Sequence, residues 1–274
     1  MRIIVCLFLI IISVPTSGQE NETFLKNWKV YPVPTNEEML TKYNLGQNYW
    51  VVFLDQNEAR VDHSYKYCPT VKLPFAIKQS ESDIINISAP LAGLIDAFEV
   101  DDGYLVAFNR GEWGGELYWF SKDGKKKYEI SKQQITKFIE RDDKIYAIEG
   151  ISHLGMSKGG IIEVKKKKRK WKTTEYLKLP TAPEVAQLDG KNNLVVVTSS
   201  GIFLDSNKNF GVVPSSLLSI DSNANVDTLV KAGMWDYLYP SSLIIQDDIV
   251  YIGMKRGVYK FDLVTKKEEW LLPE

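Results

Sequence analysis

The chain has little cysteine and little histidine. Its 274 residues include two cysteines, Cys6 and Cys68, and two histidines, His63 and His153. Cys6 lies in an N-terminal stretch that we expect to be removed, which leaves a single thiol and no internal disulfide. One thiol and two imidazoles are too few for a zinc site without carboxylate ligands. The sequence therefore argues against disulfide-stapled folds and against zinc modules built from Cys and His.

The chain also has no excess of one charge. It carries 34 Lys and Arg against 35 Asp and Glu, for a formal net charge of -1. General nucleic-acid binders and proteins bound to anionic membranes carry a basic excess. We therefore expect neither nucleic acid nor a membrane surface as the main partner.

Long apolar runs are confined to the N-terminus. Arg2 precedes an apolar run at 3–14 and a small-residue zone at 15–18, the order found in secretory signals. The run is shorter than the roughly twenty residues needed to span a bilayer. We predict a signal peptide over residues 1–18 and a secreted or periplasmic protein with no stable membrane insertion after cleavage.

The C-terminal part of the chain shows the clearest pattern of secondary structure. Residues 242–246, 249–254, 258–263 and 268–272 are rich in Val, Ile, Tyr and Phe and are separated by Asp, Gly and Lys. Such runs predict short strands joined by turns. Four antiparallel strands in about thirty-five residues are typical of one blade of a β-propeller.

Weaker copies of this unit occur upstream. Their Asp-containing turns fall at Asp102, Asp143, Asp189 and Asp247, at spacings of 41, 46 and 58 residues, and blades repeat at roughly 40–50 residues. An insertion at 201–216 accounts for the long last interval, and a long loop is predicted at 149–160. We predict an all-β fold, a β-propeller of four-stranded antiparallel blades at 47–274, with five blades favoured and six also allowed, after an irregular segment at 19–46. A β-sandwich explains short strands equally well but not their recurring order.

Three of these units carry a resemblance. WGGELYWFSKDGKKKYEIS, IYAIEGISHLGMSKGGIIEV and LYPSSLIIQDDIVYIGMKRGVYKFDL resemble a group of exported bacterial proteins of the WD40/YVTN and quinoprotein-like propeller superfamily, over roughly 94–274. The resemblance implies a propeller fold and supplies no catalytic residues. The Gly-His and Trp-Asp signatures of WD40 repeats and the Gly-Trp docking motifs of quinoproteins are absent, so we expect no cofactor.

A G-x-S-x-G motif and two acidic loops are candidate sites of chemistry. Gly155, Ser157 and Gly159 match the nucleophile elbow, which needs a strand turning into a helix, but residues 161–164 predict a strand, so we interpret the motif as a glycine-rich hairpin loop. The segments 205–209 and 221–225 begin like calcium loops but lack the required glycine and glutamate. Asp and Asn are ordinary turn formers, so we predict no metal.

Two lysine-rich runs, at 125–127 and 165–170, lie between predicted strands. They could attract polyanions, but solvated hairpin tips are the more common use of such runs, and we favour that interpretation.

In a propeller, the loops between second and third strands and the links between blades emerge on one face, where binding residues concentrate. Two functions stay open. The first is non-catalytic binding of a protein, peptide or glycan. The alternative is a hydrolase or lyase that uses Glu112, Glu149 or Glu184 with His153 as acid–base groups. Paired carboxylates in one funnel would favour the enzyme. The predicted ligand-binding residues are Arg110, Glu112, Trp113, His153, Glu184, Trp235, Tyr239 and Arg256.

Overall fold

The structure, a computed structural model, describes residues 23–42, 49–63, 73–77, 94–204, 210–232, 235 and 238–273. Within these ranges the protein is all-β, with one short helix, α1 (Glu37–Lys42). The strands are β1 (Thr23–Phe24), β2 (Lys29–Tyr31), β3 (Trp50–Asp55), β4 (Glu58–His63), β5 (Leu94–Val100), β6 (Gly103–Asn109), β7 (Gly115–Ser121), β8 (Lys127–Ser131), β9 (Ile135–Arg141), β10 (Lys144–His153), β11 (Met156–Lys167), β12 (Lys170–Leu179), β13 (Pro183–Leu188), β14 (Leu194–Thr198), β15 (Gly201–Leu204), β16 (Phe210–Val213), β17 (Ser215–Ile220), β18 (Val226–Ala232), β19 (Ser242–Gln246), β20 (Ile249–Met254), β21 (Gly257–Asp262) and β22 (Glu268–Leu272).

Four antiparallel meanders make up most of the fold. Their strand orders are β5-β6-β7-β8, β9-β10-β11-β12, β13-β14-β17-β18 and β19-β20-β21-β22. The predicted four-stranded antiparallel units are confirmed. Asp143 and Asp247 lie in tight turns between first and second strands, with φ of 57° and 49°. Aspartate tolerates this left-handed conformation better than most residues, which explains the Asp signal at these two turns.

N-terminal strands complete sheets at both ends of the chain. β1 pairs with β4 to give the three-stranded sheet β1-β4-β3, and β2 pairs with β22 as the fifth strand of the last sheet. The segment predicted to be irregular, 19–46, therefore contributes two short strands and α1. Asn36 caps α1, because its Oδ1 accepts the N–H of Met39 at 2.9 Å. β3 also lies against β19 and β20, so the first and last sheets are neighbours.

Successive sheets bury their apolar faces against one another. The core clusters are formed between β6 and β7 and the next sheet, between that sheet and β13-β14, between β14 and β20-β21, and between β3-β4 and the last sheet. Burial of apolar area is the main favourable term in folding. The four meanders therefore pack on one another in chain order, and the last of them packs on the first sheet of the chain.

Polar side chains on the first strands tie neighbouring sheets together. The Asp96 carboxylate accepts the N–H of Phe138 at 2.8 Å, which joins β5 to β9. Lys137 Nζ donates to the carbonyl of Ala186 at 3.1 Å, which joins β9 to β13. Ser242 Oγ accepts a backbone N–H of β3 at 2.8 Å. Burial raises the pKa of Asp96 and lowers that of Lys137.

Two stretches differ from the sequence prediction. Residues 149–160, expected to form a long loop, are mostly strand: β10 and β11 stay paired as far as His153 and Met156. The turn between them is Leu154 and Gly155, with φ of 49° and 82°. The segment has no regular apolar alternation because it lies at the end of the sheet. Within 201–216, β15 and β16 form a separate hairpin.

Asp102 joins two sheets at the tight-turn end. Its carboxylate accepts hydrogen bonds from Trp119 Nε1 at 3.3 Å, Trp171 Nε1 at 3.1 Å and Lys166 Nζ at 2.7 Å. Burial would raise the pKa of Asp102, but the bonds from Lys166 and the two indoles outweigh it and the pKa is lowered. The carboxylate thus serves two indole N–H groups from neighbouring sheets.

Asp102→Ala is expected to lower the free energy of unfolding by about 1–2 kcal/mol at pH 7, because two partly buried indole donors lose their acceptor. Because the pKa of Asp102 is lower in the folded state, the stabilisation by its carboxylate depends on pH. It is present above the unfolded-state pKa of about 4 and is lost as pH falls through the folded-state value. Urea denaturation at pH 7 and pH 3 measures both. Asp101→Ala, an exposed neighbour, is the control; equal stability of the two variants would count against this role.

Candidate functional site

The strand ends opposite the Asp turns carry the longer loops and the links between sheets. We call this surface the loop face, and its described parts are residues 110–114, 132–134, 153–157, 180–182, 199–204, 210–214, 238–241 and 255–256.

Hydrogen bonds join the loops of three consecutive sheets. Gln134 donates its side-chain amide to the carbonyl of Gly111 and accepts the N–H of Gly150 on its own carbonyl, the latter at 3.0 Å. The N–H of Ile202 donates to the carbonyl of Gly155 at 2.7 Å. The loop face is therefore a connected surface rather than a set of independent loops.

Glu112 and His153, predicted separately, are brought together. Glu112 lies in a 3₁₀ turn (Gly111–Trp113) and His153 ends β10. Glu112 Oε2 lies 2.6 Å from His153 Nε2, with the side chains 44% and 38% exposed. A carboxylate that contacts an imidazole can orient it for proton transfer. The pair lies open to solvent.

Arg110 is committed to a structural ion pair. Its guanidinium forms two hydrogen bonds to the Glu116 carboxylate, at 2.5 and 2.6 Å, and the side chains are 7% and 13% exposed. The hydrogen bond to Glu116 raises the pKa of Arg110. Arg110 Nη2 also contacts the carbonyl of Trp113 at 3.4 Å. The predicted ligand-orienting arginine therefore holds the loop that presents Trp113.

Tyr239 and Arg256 line one cavity at the last sheet. Lys255 Nζ lies 5.7 Å from the ring centroids of both Tyr49 and Tyr239, at cation–π distance. Arg256 has a φ of 75° at the turn between β20 and β21. The two predicted residues thus meet, but at a different sheet from Glu112 and His153. The cavity has a volume of about 330 Å³ and is lined by Glu37, Leu40, Thr41, Tyr239, Lys255 and Arg256.

Two other predicted residues occupy different environments. Trp235 is 1% exposed and packs edge-on against Tyr259, with ring centroids 5.0 Å apart. It is part of the core, so we leave it out of the binding surface. Glu184 is partly buried at the start of β13, where the pairing with β14 shifts register. By contrast, Trp113 is 56% exposed.

Glu149 lies in a groove beside β11 and β12. The groove has a volume of about 350 Å³ and also contains Glu175, Lys158 and Gly159. Burial raises the pKa of Glu149, the nearby charge of Glu175 raises it further, and Lys158 opposes both. Of the four residues considered for acid–base chemistry, Glu149 alone belongs to the lining of this groove. The four residues do not line a common cavity.

Ser157 is a structural residue. Its hydroxyl lies 2.7 Å from Ser199 Oγ and accepts the N–H of Ala182 at 2.7 Å. It is the second residue of β11, so the G-x-S-x-G motif continues as a strand, as predicted. The serine joins the hairpin to the link between sheets and to the strand end before β15.

The acidic loop at 221–225 is a tight turn. Asp221 accepts hydrogen bonds from the N–H groups of Asn223 and Asn225, both at 2.8 Å, and the Asn225 amide lowers the pKa of Asp221. The loop at 205–209 lies outside the described residues. In the described ranges no group of three or more His, Cys, Asp or Glu is placed to hold a metal ion.

Four exposed apolar residues on the loop face were not predicted from the sequence. Leu154 and Met156 flank the β10–β11 turn, and Ile202 and Val212 are directly opposite each other in the β15–β16 hairpin. A Cβ on Gly155 would lie 2.7 Å from Ile202 Cδ1, so the two hairpins touch. In the sequence, only the position of Leu154 and Met156 on either side of a turn glycine indicates this exposure.

No protein-family model matches the chain, and no curated protein is significantly similar to it. The resemblance to exported bacterial propellers therefore stays a prediction. Among the described residues, no helix has the length and apolar character needed to cross a membrane.

Proposed function

We propose that the protein is a five-bladed β-propeller that binds a protein or peptide on its loop face and catalyses no reaction. The four meanders and the sheet β1-β4-β3 would be the five blades. Contacts of β5 with β9, β9 with β13, β13 with β19 and β19 with β3 support a row of neighbouring first strands, which a propeller would close between β3 and β5. The predicted signal at residues 1–18 lies outside the described residues, so secretion or periplasmic location belongs to the same proposal.

The exposed apolar side chains of the loop face carry the binding proposal. Trp113, Leu154, Met156, Ile202 and Val212 are each more than half exposed, and they lie on the connected loops of three sheets. Exposed apolar side chains gathered on one surface mark interaction sites in soluble proteins, whereas isolated ones do not. We call these five residues the apolar patch.

The composition of the apolar patch favours a protein or peptide over a glycan. Four of its five side chains are aliphatic or thioether groups, which pack against other apolar side chains. Sugars instead stack on flat aromatic rings and need polar groups around them. Trp113 offers one ring at this patch, with the Glu112–His153 pair beside it at the open surface.

Peptides selected from a random display library on the full chain should carry apolar anchors and bind the apolar patch. The variant Trp113→Ala/Leu154→Asn/Met156→Gln should weaken their binding about tenfold or more, because truncating interface anchors costs over 1 kcal/mol each at hot spots. Fluorescence polarisation measures the affinities.

The matched control is Leu54→Gln/Val226→Thr/Val264→Thr, which changes three exposed apolar residues outside the loop face. It should leave the affinity unchanged, and both variants should melt with the wild type. Equal weakening by both variants, or a selection that yields no binder, would reject the apolar patch as a binding surface.

One observation favours the alternative, an acid–base hydrolase or lyase. Glu149 has a raised pKa in a groove that it shares with Glu175, and raised carboxyl pKa values are common in general acids. Against it, Glu112 and His153 do not line that groove, and they pair with each other at an open surface where water is not excluded.

A further inference from the structure

Two lysine-rich segments that are distant in sequence are neighbours in the fold. Residues 121–131 and 163–174 together contain eleven Lys or Arg and three Asp or Glu, a formal net charge of +8, whereas the whole chain has -1. β8 lies against β12, and the Tyr128 hydroxyl accepts the N–H of Trp171 at 2.8 Å. The fold thus concentrates positive charge in one region, although the net charge of the whole chain is close to zero.

The β11–β12 hairpin extends past the other strands of its sheet. β10 pairs with β11 only as far as Val164, while β11 and β12 continue to pair beyond it as a two-stranded ribbon. We call residues 165–172 the basic ribbon. Its cross-strand pairs are Lys165 with Lys172, Lys166 with Trp171, and Lys167 with Lys170.

The two faces of the basic ribbon differ. Lys166 and Trp171 both bond to Asp102, on the neighbouring sheet. Because successive strand residues alternate between faces, four lysines share the opposite face, and all are exposed. Lys165 contacts Glu163 at 2.5 Å; in the described part of the chain no carboxylate lies within ion-pair distance of the other three. The four are Lys165, Lys167, Lys170 and Lys172.

The facing lysines of the basic ribbon are unfavourable for folding. Like charges directly opposite each other on a sheet are destabilising, and this face carries two such pairs. Packing to the neighbouring sheet depends mainly on the other face, where Lys166 and Trp171 bond to Asp102. Of the four lysines, Lys170 also contacts that sheet, with its Nζ 5.8 Å from the ring centroid of Tyr128. The lysine face therefore fits an external polyanion.

We propose that the basic ribbon binds a linear anionic polysaccharide, independently of the loop face. Ten of the eleven cations in the two segments are lysines, which attract a chain of spaced anionic groups as point charges without requiring one fixed geometry. Tyr128 stacks on Trp119 with ring centroids 5.2 Å apart, and Lys166 Nζ lies 5.9 Å from the ring centroid of Trp171. Protein groups thus already lie against both rings, which disfavours base stacking. The large exposed apolar residues of the described chain lie outside these segments, which disfavours insertion into lipid.

Polygalacturonate, with one carboxylate per sugar, is the probe, titrated against the full chain by biolayer interferometry at about 50 and 300 mM salt. We expect binding that weakens as salt rises. Lys167→Gln/Lys170→Gln/Lys172→Gln should lower the affinity about tenfold or more and flatten the salt dependence, because fewer counterions are displaced. Lys42→Gln/Lys191→Gln/Lys231→Gln makes the same charge change at exposed sites elsewhere and should bind like the wild type.

Three results would overturn the proposal. These are absence of polygalacturonate binding at low salt, equal losses in the two triple variants, and tighter binding of oligothymidylate or anionic lipid vesicles than of the polysaccharide. The loop-face variant Trp113→Ala/Leu154→Asn/Met156→Gln should keep full polysaccharide binding, so that failure of either proposed surface is seen separately.

Discussion

Glu116→Gln is expected to lower the free energy of unfolding by about 3–5 kcal/mol, because it removes the carboxylate that forms two hydrogen bonds to the buried Arg110 guanidinium. The wild-type pair has two short hydrogen bonds and little access to water. A neutral amide keeps the shape of glutamate but can accept through one oxygen only. Urea denaturation at pH 7 measures the loss.

The double variant Arg110→Met/Glu116→Leu measures the effect of removing both charges of the ion pair. Removing both charges leaves no buried guanidinium beside a neutral amide, so this variant should be more stable than Glu116→Gln, and it completes a double-mutant cycle with the single variants. If Glu116→Gln stays within about 1 kcal/mol of the wild type, water or another group compensates Arg110, and the pair is not what fixes residues 110–114.

Gly253→Ala should destabilise the protein by about 1–3 kcal/mol, the usual range for overpacking. A Cβ at this position would lie 2.3 Å from the carbonyl oxygen of Trp50 and 2.4 Å from Ser242 Oγ. Both belong to the contact between the first and last sheets, and a backbone oxygen cannot rotate away. We expect the thermal midpoint to fall.

Gly190→Ala is the matched control. A Cβ on Gly190 would meet no other atom within 4 Å, so alanine should be neutral or slightly stabilising there, since it reduces the entropy of the unfolded chain. Equal midpoints for the two variants would show that the first and last sheets can separate slightly without loss of stability.

Much of the strand pattern could be predicted because it depends on local physics. In the last sheet, alternating apolar residues and positive-φ aspartates fixed each strand to within one residue. The pairing of β1 with β4 and of β2 with β22 could not be predicted, since strands of two or three residues carry no periodicity and their partners are far along the chain. The β10 and β11 extensions escaped prediction for a related reason: Gly159 and Gly160 are there to let backbones approach, not to end a strand.

The candidate site was predicted residue by residue but not in its arrangement. Glu112 and His153 were expected on one face, and their contact follows from the neighbouring positions of their loops. Trp235 could not be distinguished from Trp113 in sequence, because both follow glycine-containing segments, yet one is core and the other exposed. Likewise, the charge of the two lysine runs was visible, but not that β8 and β12 would bring them together.

The strands at both ends of the chain impose an order on synthesis and folding. β1 and β2 leave the ribosome first, but β2 gains its partner only when β22, the last strand, has been made. Until then the newly made N-terminal strands have open edges, which are prone to pair with other chains. A premature stop before β22 would leave β2 without its partner strand. The truncated protein would then have an unpaired strand edge at each end of the chain.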